Sequence, residues 1–274
     1  MRTGEVISLS IPLDSAGPQL GPASPSGRGN PVHLMSQTGA GQDFASGFRF
    51  ADDYVFMALQ SGTQWDALAH VFYDGALYNG FDAAKTITPF GASRNAVTAI
   101  SPGVTGRGVL LDLPALHGVS WLEAGQPITP DDLDACARRQ RVDVRSGDII
   151  AVRTGWRRKF LQCGASEFMD GEPGLNLSCA QWLVEHEVAA VCSDNWAIEV
   201  QPPAGFEASA HDDPPMALHM VLLRDVGMPL GELFDLEALA EVCSQGGRYE
   251  FLFVGVPLLV TGAVGAPVHP VAIF

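Results

Sequence analysis

The sequence is poor in positive charge: 16 Lys and Arg stand against 31 Asp and Glu in 274 residues, a formal net charge of −15. Its basic residues gather only in short stretches such as Arg153–Lys159. A nucleic-acid partner is therefore not expected, because gripping a phosphate backbone takes a basic face. Cysteine is sparse and unorganised. Cys136, Cys163, Cys179, Cys192 and Cys243 are odd in number and contain no Cys-x-x-Cys pair. That favours a reducing compartment over a disulfide framework. No Gly-x-Gly-x-x-Gly, phosphate loop or Gly-x-Ser-x-Gly elbow occurs, so dinucleotide, ATP and serine-hydrolase chemistry lose their usual markers.

Long apolar runs are missing too. The N-terminus, Met1 to Ser8, lacks the apolar core of a signal peptide, and a cytoplasmic location is the expectation. Phe251–Phe274 carries no Asp, Glu, Lys or Arg, yet Gly255, Pro257, Gly262, Gly265, Pro267 and Pro270 cut it into pieces of strand length. A buried strand pair, Phe251–Val256 and Leu258–Thr261, is predicted there, and no membrane span.

What is present is globular. Hydrophobic residues make up 47% and charged residues 17%, enough for one sizeable core, so residues 1–274 read as a single domain. A strand at Val6–Pro12 leads into an extended arm over residues 13–45, rich in Gly, Pro and Ser. An arm of that length is usually functional or covers a neighbour. Tyr54–Gln60, Gly108–Asp112, Gly147–Val152 and Val188–Cys192 read as strands. Thr129 caps a helix through about Arg139, with Pro130 in its first turn and Asp131 and Asp132 at its positive end. Helices are also predicted over Ser178–Glu187, His219–Val226 and Asp235–Cys243. Alternating strands and helices give an α/β class.

Three strand ends carry polar groups: Gln60–His70, Arg153–Trp156 and Ser193–Asn195. Ligands of α/β proteins collect where strands stop. Gln60, Gln64, Asp66 and His70 form the densest group of side-chain donors and acceptors. Such groups in apolar surroundings are met either by a hydrogen-bonded turn, with Asp66 capping backbone, or by a ligand.

The segment Gln60-Ser61-Gly62-Thr63-Gln64-Trp65-Asp66-Ala67-Leu68-Ala69-His70 is similar to the signature of the metal-dependent cyclase family, which includes bacterial kynurenine formamidases and isatin hydrolases. That signature runs His-x-Gly-Thr-His-x-Asp-x-Pro-x-His. Gly62, Thr63, Asp66 and His70 stand in place, while Gln60 and Gln64 replace two histidines and Leu68 replaces proline. Gly108–Asp112, Ile128-Thr129 with Leu133, Gly147–Ile149, Arg153–Trp156, Pro173-Gly174-Leu175 and Ser193-Asp194 resemble further landmarks of the family. His219 with Glu232 resembles its later His and Glu, at a spacing one residue longer.

The resemblance implies a mixed-sheet or barrel-like core with surrounding helices, assembled as a homodimer or homotetramer. It also implies a divalent metal held at Gln60, Gln64, Asp66, His219 and Glu232, with His70 and Asp66 catalytic. Amide oxygens are weak, hard ligands where zinc prefers imidazole, so the two glutamines tilt the site from zinc toward manganese, magnesium or calcium, or abolish metal binding. In the metal-free case Gln60 and Gln64 would donate to a substrate carbonyl, with His70 as base.

The reaction implied is hydrolysis of a small cyclic or N-acyl amide (a lactam, imide or arylformamide) by activated water. The alternatives are a cyclase or dehydratase working through His70, and a binding protein that kept only the pocket. Trp65 and Trp196 either wall a flat substrate or pack in the core. Asp194 and Asn195 are further substrate-binding candidates, and Tyr78, with Tyr73 and Asn79, a rim. Glu199 either joins the site or is an exposed acid. Arg153 reads as a structural ion-pair partner, and Arg94 as a weak candidate for a substrate carboxylate. His33, His117, His186 and His211 read as loop residues, and His269 as packed.

Overall fold

The computed structural model describes residues 3–24, 26–204 and 214–274; His211 lies outside them. A mixed sheet of nine strands curls into a half-barrel, as the α/β reading requires. Its order is Val6–Ser8, Val271–Ile273, Glu250–Gly255, Val104–Asp112, Ile149–Arg153, Ala190–Ser193, Leu230–Glu232, Gln64–Asp66 and Gly265–Pro267. The four strands from Val104–Asp112 to Leu230–Glu232 are parallel, and antiparallel strands flank them on both sides.

These central strands are buried on both faces, which explains their unbroken Val, Leu and Ile runs. Leu111, Ile150, Val152 and Val191 face one core, under the helices Pro130–Gln140 and Cys179–Glu185. Leu110, Ile149, Ala151 and Cys192 face the other, with helix Glu237–Gly246 and the aromatics Trp65, Phe234 and Phe253. Helix Pro130–Gln140 starts where its sequence says: the Thr129 hydroxyl accepts from Asp132 N–H, and the Asp132 carboxylate accepts from Thr129 N–H.

Three expectations change. Leu258–Thr261 is no strand; Leu258 and Leu259 are exposed, and the pairing falls instead to Gly265–Pro267 and Val271–Ile273. Pro267 is tolerated because its strand is the edge of the sheet, and Pro270 precedes its strand rather than sitting inside it. The arm over 13–45 is not wholly extended. It holds a short 3-10 turn, Gly21–Ala23, and the strand Val32–Gln37, which forms a hairpin with Asp52–Phe56. The strand expected over Tyr54–Gln60 therefore stops at Phe56, and the motif supplies its own strand, Gln64–Asp66, inside the main sheet.

No helix among the described residues is long and apolar enough to cross a membrane.

Candidate active site

Gln64–Asp66 is a three-residue strand with a neighbour on each side. Side chains alternate across a strand, so Gln64 and Asp66 point to one face and Trp65 to the other. On the first face, antiparallel register sets Glu232 directly opposite Gln64, and Gln64 Nε2 donates to Glu232 Oε2 at 2.6 Å. On the other side Gly265 stands opposite Asp66. A Cβ at Gly265 would lie 2.8 Å from Gln60 Nε2 and 3.3 Å from Asp66 Oδ1, so the missing side chain is what admits the Gln60 amide beside Asp66.

His219 closes the group. It is buried at the end of helix Ala217–His219, just before a π-helical turn over Met220–Val226. Such turns hold an additional residue and occur often at functional sites, in keeping with the longer His219–Glu232 spacing. His219 Nε2 lies 3.0 Å from Glu232 Oε1 and 3.9 Å from Asp66 Oδ2. Its Nδ1 lies 2.6 Å from Glu199 Oε1, and Glu199 also accepts the backbone N–H groups of Leu218 and His219. Glu199 thus fixes the imidazole and is no exposed acid; the strand end alone could not distinguish the two.

Burial, and then the neighbouring Glu232 carboxylate, push Asp66 up to about 6 against the pull of His70, His219 and Arg28. Burial pulls His219 down, but its hydrogen bonds to Glu199 and Glu232 outweigh it and raise the ring to about 10. His70 is half-buried with Nε2 3.7 Å from Asp66 Oδ2, and desolvation lowers its pKa despite that carboxylate.

Asp66, His219 and Glu232 each offer a ligand atom, all within 4.8 Å of one another. Two buried oxygens in this group, Asp66 Oδ2 and Gln64 Oε1, have no hydrogen-bond partner. Unmet buried acceptors beside crowded carboxylates are what a divalent cation would satisfy. The set of two carboxylates, one imidazole and an amide oxygen suits an oxygen-preferring ion better than a set of three imidazoles would. Gln60 lies beside Asp66 on the far side, half-buried.

The remaining candidates are placed differently. Trp65 is fully buried in the opposite core, edge-on to Phe234 and Phe253, and its Nε1 donates to the Gly255 carbonyl at 3.0 Å. The strand alternation that aims Asp66 at the site aims Trp65 away, into the core-packing place that was its other reading. Asp194 is spent on structure: it accepts from Thr154 N–H, Thr154 Oγ1 and Gly155 N–H. Asn195 is also occupied, donating to the Pro173 carbonyl and accepting from Ile198 N–H. The Tyr78 ring lies on Gly227, where any Cβ would collide with it. Trp196 is half-buried with an unpartnered Nε1.

Arg153 pairs with Asp112 and Glu237. Arg94 lies over the Phe81 ring. His269, expected to be packed, is exposed and bonded to Ser8 Oγ at 3.0 Å. Glu172, which the sequence did not single out, is fully buried beside this loop. Its Oε2 accepts from Trp196 N–H, its Oε1 is unpartnered, and burial raises its pKa well above the ordinary value. Its one visible marker was its place before Pro173-Gly174-Leu175.

Backbone strain marks the same segments. Leu233, next to Glu232, has φ 57°, and Ile198, next to Glu199, has φ 59°. Non-glycine residues in the left-handed region gather at functional sites.

The family model described as "Putative cyclase" matches residues 7–200. A crystal structure of a novel cyclase superposes with a TM-score of 0.88 at 37% identity, covering 100% of this chain and 89% of that one. Isatin hydrolase A from Ralstonia solanacearum aligns with a TM-score of 0.69 at 19% identity, over 98% of this chain and 91% of its own. A predicted metal-dependent hydrolase from Bacillus stearothermophilus aligns with a TM-score of 0.62 at 16% identity, over 98% of each chain. The last two are similar in fold. No curated protein sequence matches.

Proposed function

The chain belongs to the cyclase family, and from that premise we propose that it is a metal-dependent hydrolase of a small cyclic or N-acyl amide. The observation that carries this reading is the buried group Asp66, His219 and Glu232 with the unmet oxygens Asp66 Oδ2 and Gln64 Oε1.

Those three residues, with the Gln64 amide oxygen, would hold the cation, manganese or magnesium before zinc. When bound, a divalent cation supplies a water acidified to near neutral pH and polarises a carbonyl oxygen. The chain's residues supply the rest. Glu199 fixes the His219 ring so that Nε2 faces Asp66 and Glu232. His70, kept neutral by its desolvation, takes the proton of the attacking water and returns it to the leaving nitrogen as the C–N bond breaks. Gln60, beside Asp66, has N–H groups to offer the substrate carbonyl oxygen. The fully buried Gln64 and Asp66 keep bulk water from the ligand face.

Elemental analysis of the purified protein tests the reading, followed by assay of aryl formamides, lactams and imides with and without added manganese, magnesium or zinc. About one metal per chain, lost in Asp66→Ala together with turnover, is the expected result. Turnover that survives both Asp66→Ala and His70→Ala overturns it.

A cyclase or dehydratase is the second reading, and one observation favours it. Glu199 and Glu232 hold His219 protonated while Gln64 donates to Glu232, a self-contained network that leaves His70 free to move protons. Incorporation of oxygen from isotopically labelled water into product separates hydrolysis from this alternative.

The hairpin Val32–Gln37/Asp52–Phe56 supports assembly as a homodimer or homotetramer. Leu34, Phe48, Tyr54, Val55 and Phe56 are each more than half exposed, an apolar surface that single soluble chains rarely leave open. Light scattering of wild type and Phe56→Ser tests this, with loss of association expected in the variant. The five unpaired cysteines support a cytoplasmic location.

A further inference from the structure

Four residues of the N-terminal region, Ile11, Leu13, Gln19 and Arg28, touch the motif Gln60–Thr63 in reverse order. Ile11 N–H donates to Thr63 Oγ1 at 2.9 Å. Leu13 packs on Gly62, where any Cβ would meet its methyl group. Gln19 Nε2 donates to the Ser61 carbonyl at 3.4 Å, and Arg28 Nη1 to the Gln60 carbonyl at 3.4 Å. Ile11, Leu13, Gln19 and Arg28 therefore form a built wall of the site, with Arg28 as its outermost post.

Arg28 differs from the other well-placed arginines. Arg107, Arg153, Arg157, Arg158, Arg224 and Arg248 each pair with a carboxylate. Arg28 is half-buried, and among the described residues its side chain makes one hydrogen bond, long and to a backbone carbonyl. The exposed Arg49, Arg94, Arg138, Arg139, Arg141 and Arg145 also lack a carboxylate partner, so Arg28 is the exception only among the buried and half-buried arginines of the described residues. A guanidinium carries five donors in a planar fork matched to a carboxylate, and here most of the fork is unused. Were Arg28 only a counter-charge for the acidic cluster, its fork would lie on Asp66. It lies instead on the Gln60 carbonyl, farther out along the wall.

We propose that Arg28 binds a carboxylate carried by the substrate, away from the amide that is cleaved, and so selects anionic amides over neutral ones. This rests on the amide-hydrolase reading above, with the arm as the specificity wall of that same site.

The test compares formanilide with its 2-carboxy derivative on the metal-supplemented enzyme. Arg28→Ala is expected to lower kcat/KM for the carboxylated substrate about tenfold or more relative to its effect on formanilide, with most of the loss in KM. Arg28→Lys should recover part of that preference, as a point charge without the fork. Equal losses on the two substrates, or no loss on either, overturn the proposal.

A binding readout separates its failure from that of the hydrolase reading. In calorimetry benzoate should bind wild type at least tenfold tighter than Arg28→Ala, and benzamide should not discriminate between them. That result without any turnover sinks hydrolysis and keeps Arg28 as an anion anchor. Benzoate binding equally to both proteins, or to neither, overturns the anchor.

Discussion

Two buried polar clusters sit at strand ends of the same sheet, and only one of them has its carboxylate fully hydrogen-bonded. At Asp194 both carboxylate oxygens are used by Thr154 and Gly155, and nearby Arg153 spans Asp112 and Glu237. At Asp66 one oxygen has no partner, the facing amide oxygen of Gln64 has none, and Glu232 crowds the same space. Both clusters are inaccessible and acidic. The difference is that the Asp194 carboxylate has both oxygens hydrogen-bonded, while the second cluster leaves Asp66 Oδ2 and Gln64 Oε1 unmet. A satisfied polar cluster holds strands together; an unsatisfied one waits for a ligand.

Paired substitutions should break this comparison first. Asp194→Ala strands three buried donors and unbalances Arg153, so urea denaturation should show a loss of about 3–5 kcal/mol. Asp66→Ala removes a carboxylate repelled by Glu232, and in the absence of metal it should unfold no earlier than wild type while turnover falls by about 10²-fold or more. If Asp66→Ala proved the more destabilising, the distinction would fail. Glu199→Gln should come next. With the His219 ring less firmly held, manganese affinity should drop by about 10–100-fold in a metal-competition titration.

Gln64→His sharpens the comparison from the other direction. An imidazole in place of the amide should shift preference toward zinc by roughly tenfold, read by zinc–manganese competition. Trp65→Phe should have the smallest effect. It loses packing and one hydrogen bond to Gly255, at a cost of about 1–2 kcal/mol, with kcat within about threefold of wild type because Trp65 faces the other core.

Much of the fold was legible because its central strands and helices announce themselves locally. Leu110 and Leu111 belong to an apolar run closed by Asp112, and Thr129 carries its own capping signal. The motif marked Asp66, Gln64, Gln60 and His70, and resemblance added His219 and Glu232; the structure brings Asp66, Gln64, His219 and Glu232 together, with Gln60 and His70 close by. What the motif's surroundings did not reveal has a common physical cause. Trp65, Asp194 and Asn195 neighbour functional landmarks in sequence, but which face a side chain takes, and whether its partners are already supplied, depends on strands far away in the chain. Glu172, Glu199 and Arg28 were obscure for the converse reason. Glu199 is 20 residues from His219 and Arg28 is 32 from Gln60, and nothing local announces that such pairs meet. The tail misled because Leu258–Thr261 is as apolar as a strand, while pairing belonged to segments placed by prolines at an edge and a strand start.

The left-handed residues beside Glu232 and Glu199 have a consequence for anyone engineering this protein. A search for thermal tolerance would be drawn to Leu233 and Ile198, since glycine there would adopt φ 57° and φ 59° without steric penalty. Melting temperature and turnover should then part company: the relaxed variants gain freedom in the very peptide units that aim Glu232 at the ligand face and Glu199 at His219. The rigidity of those two corners is a reserve that cannot be drawn on for heat resistance without loosening the aim.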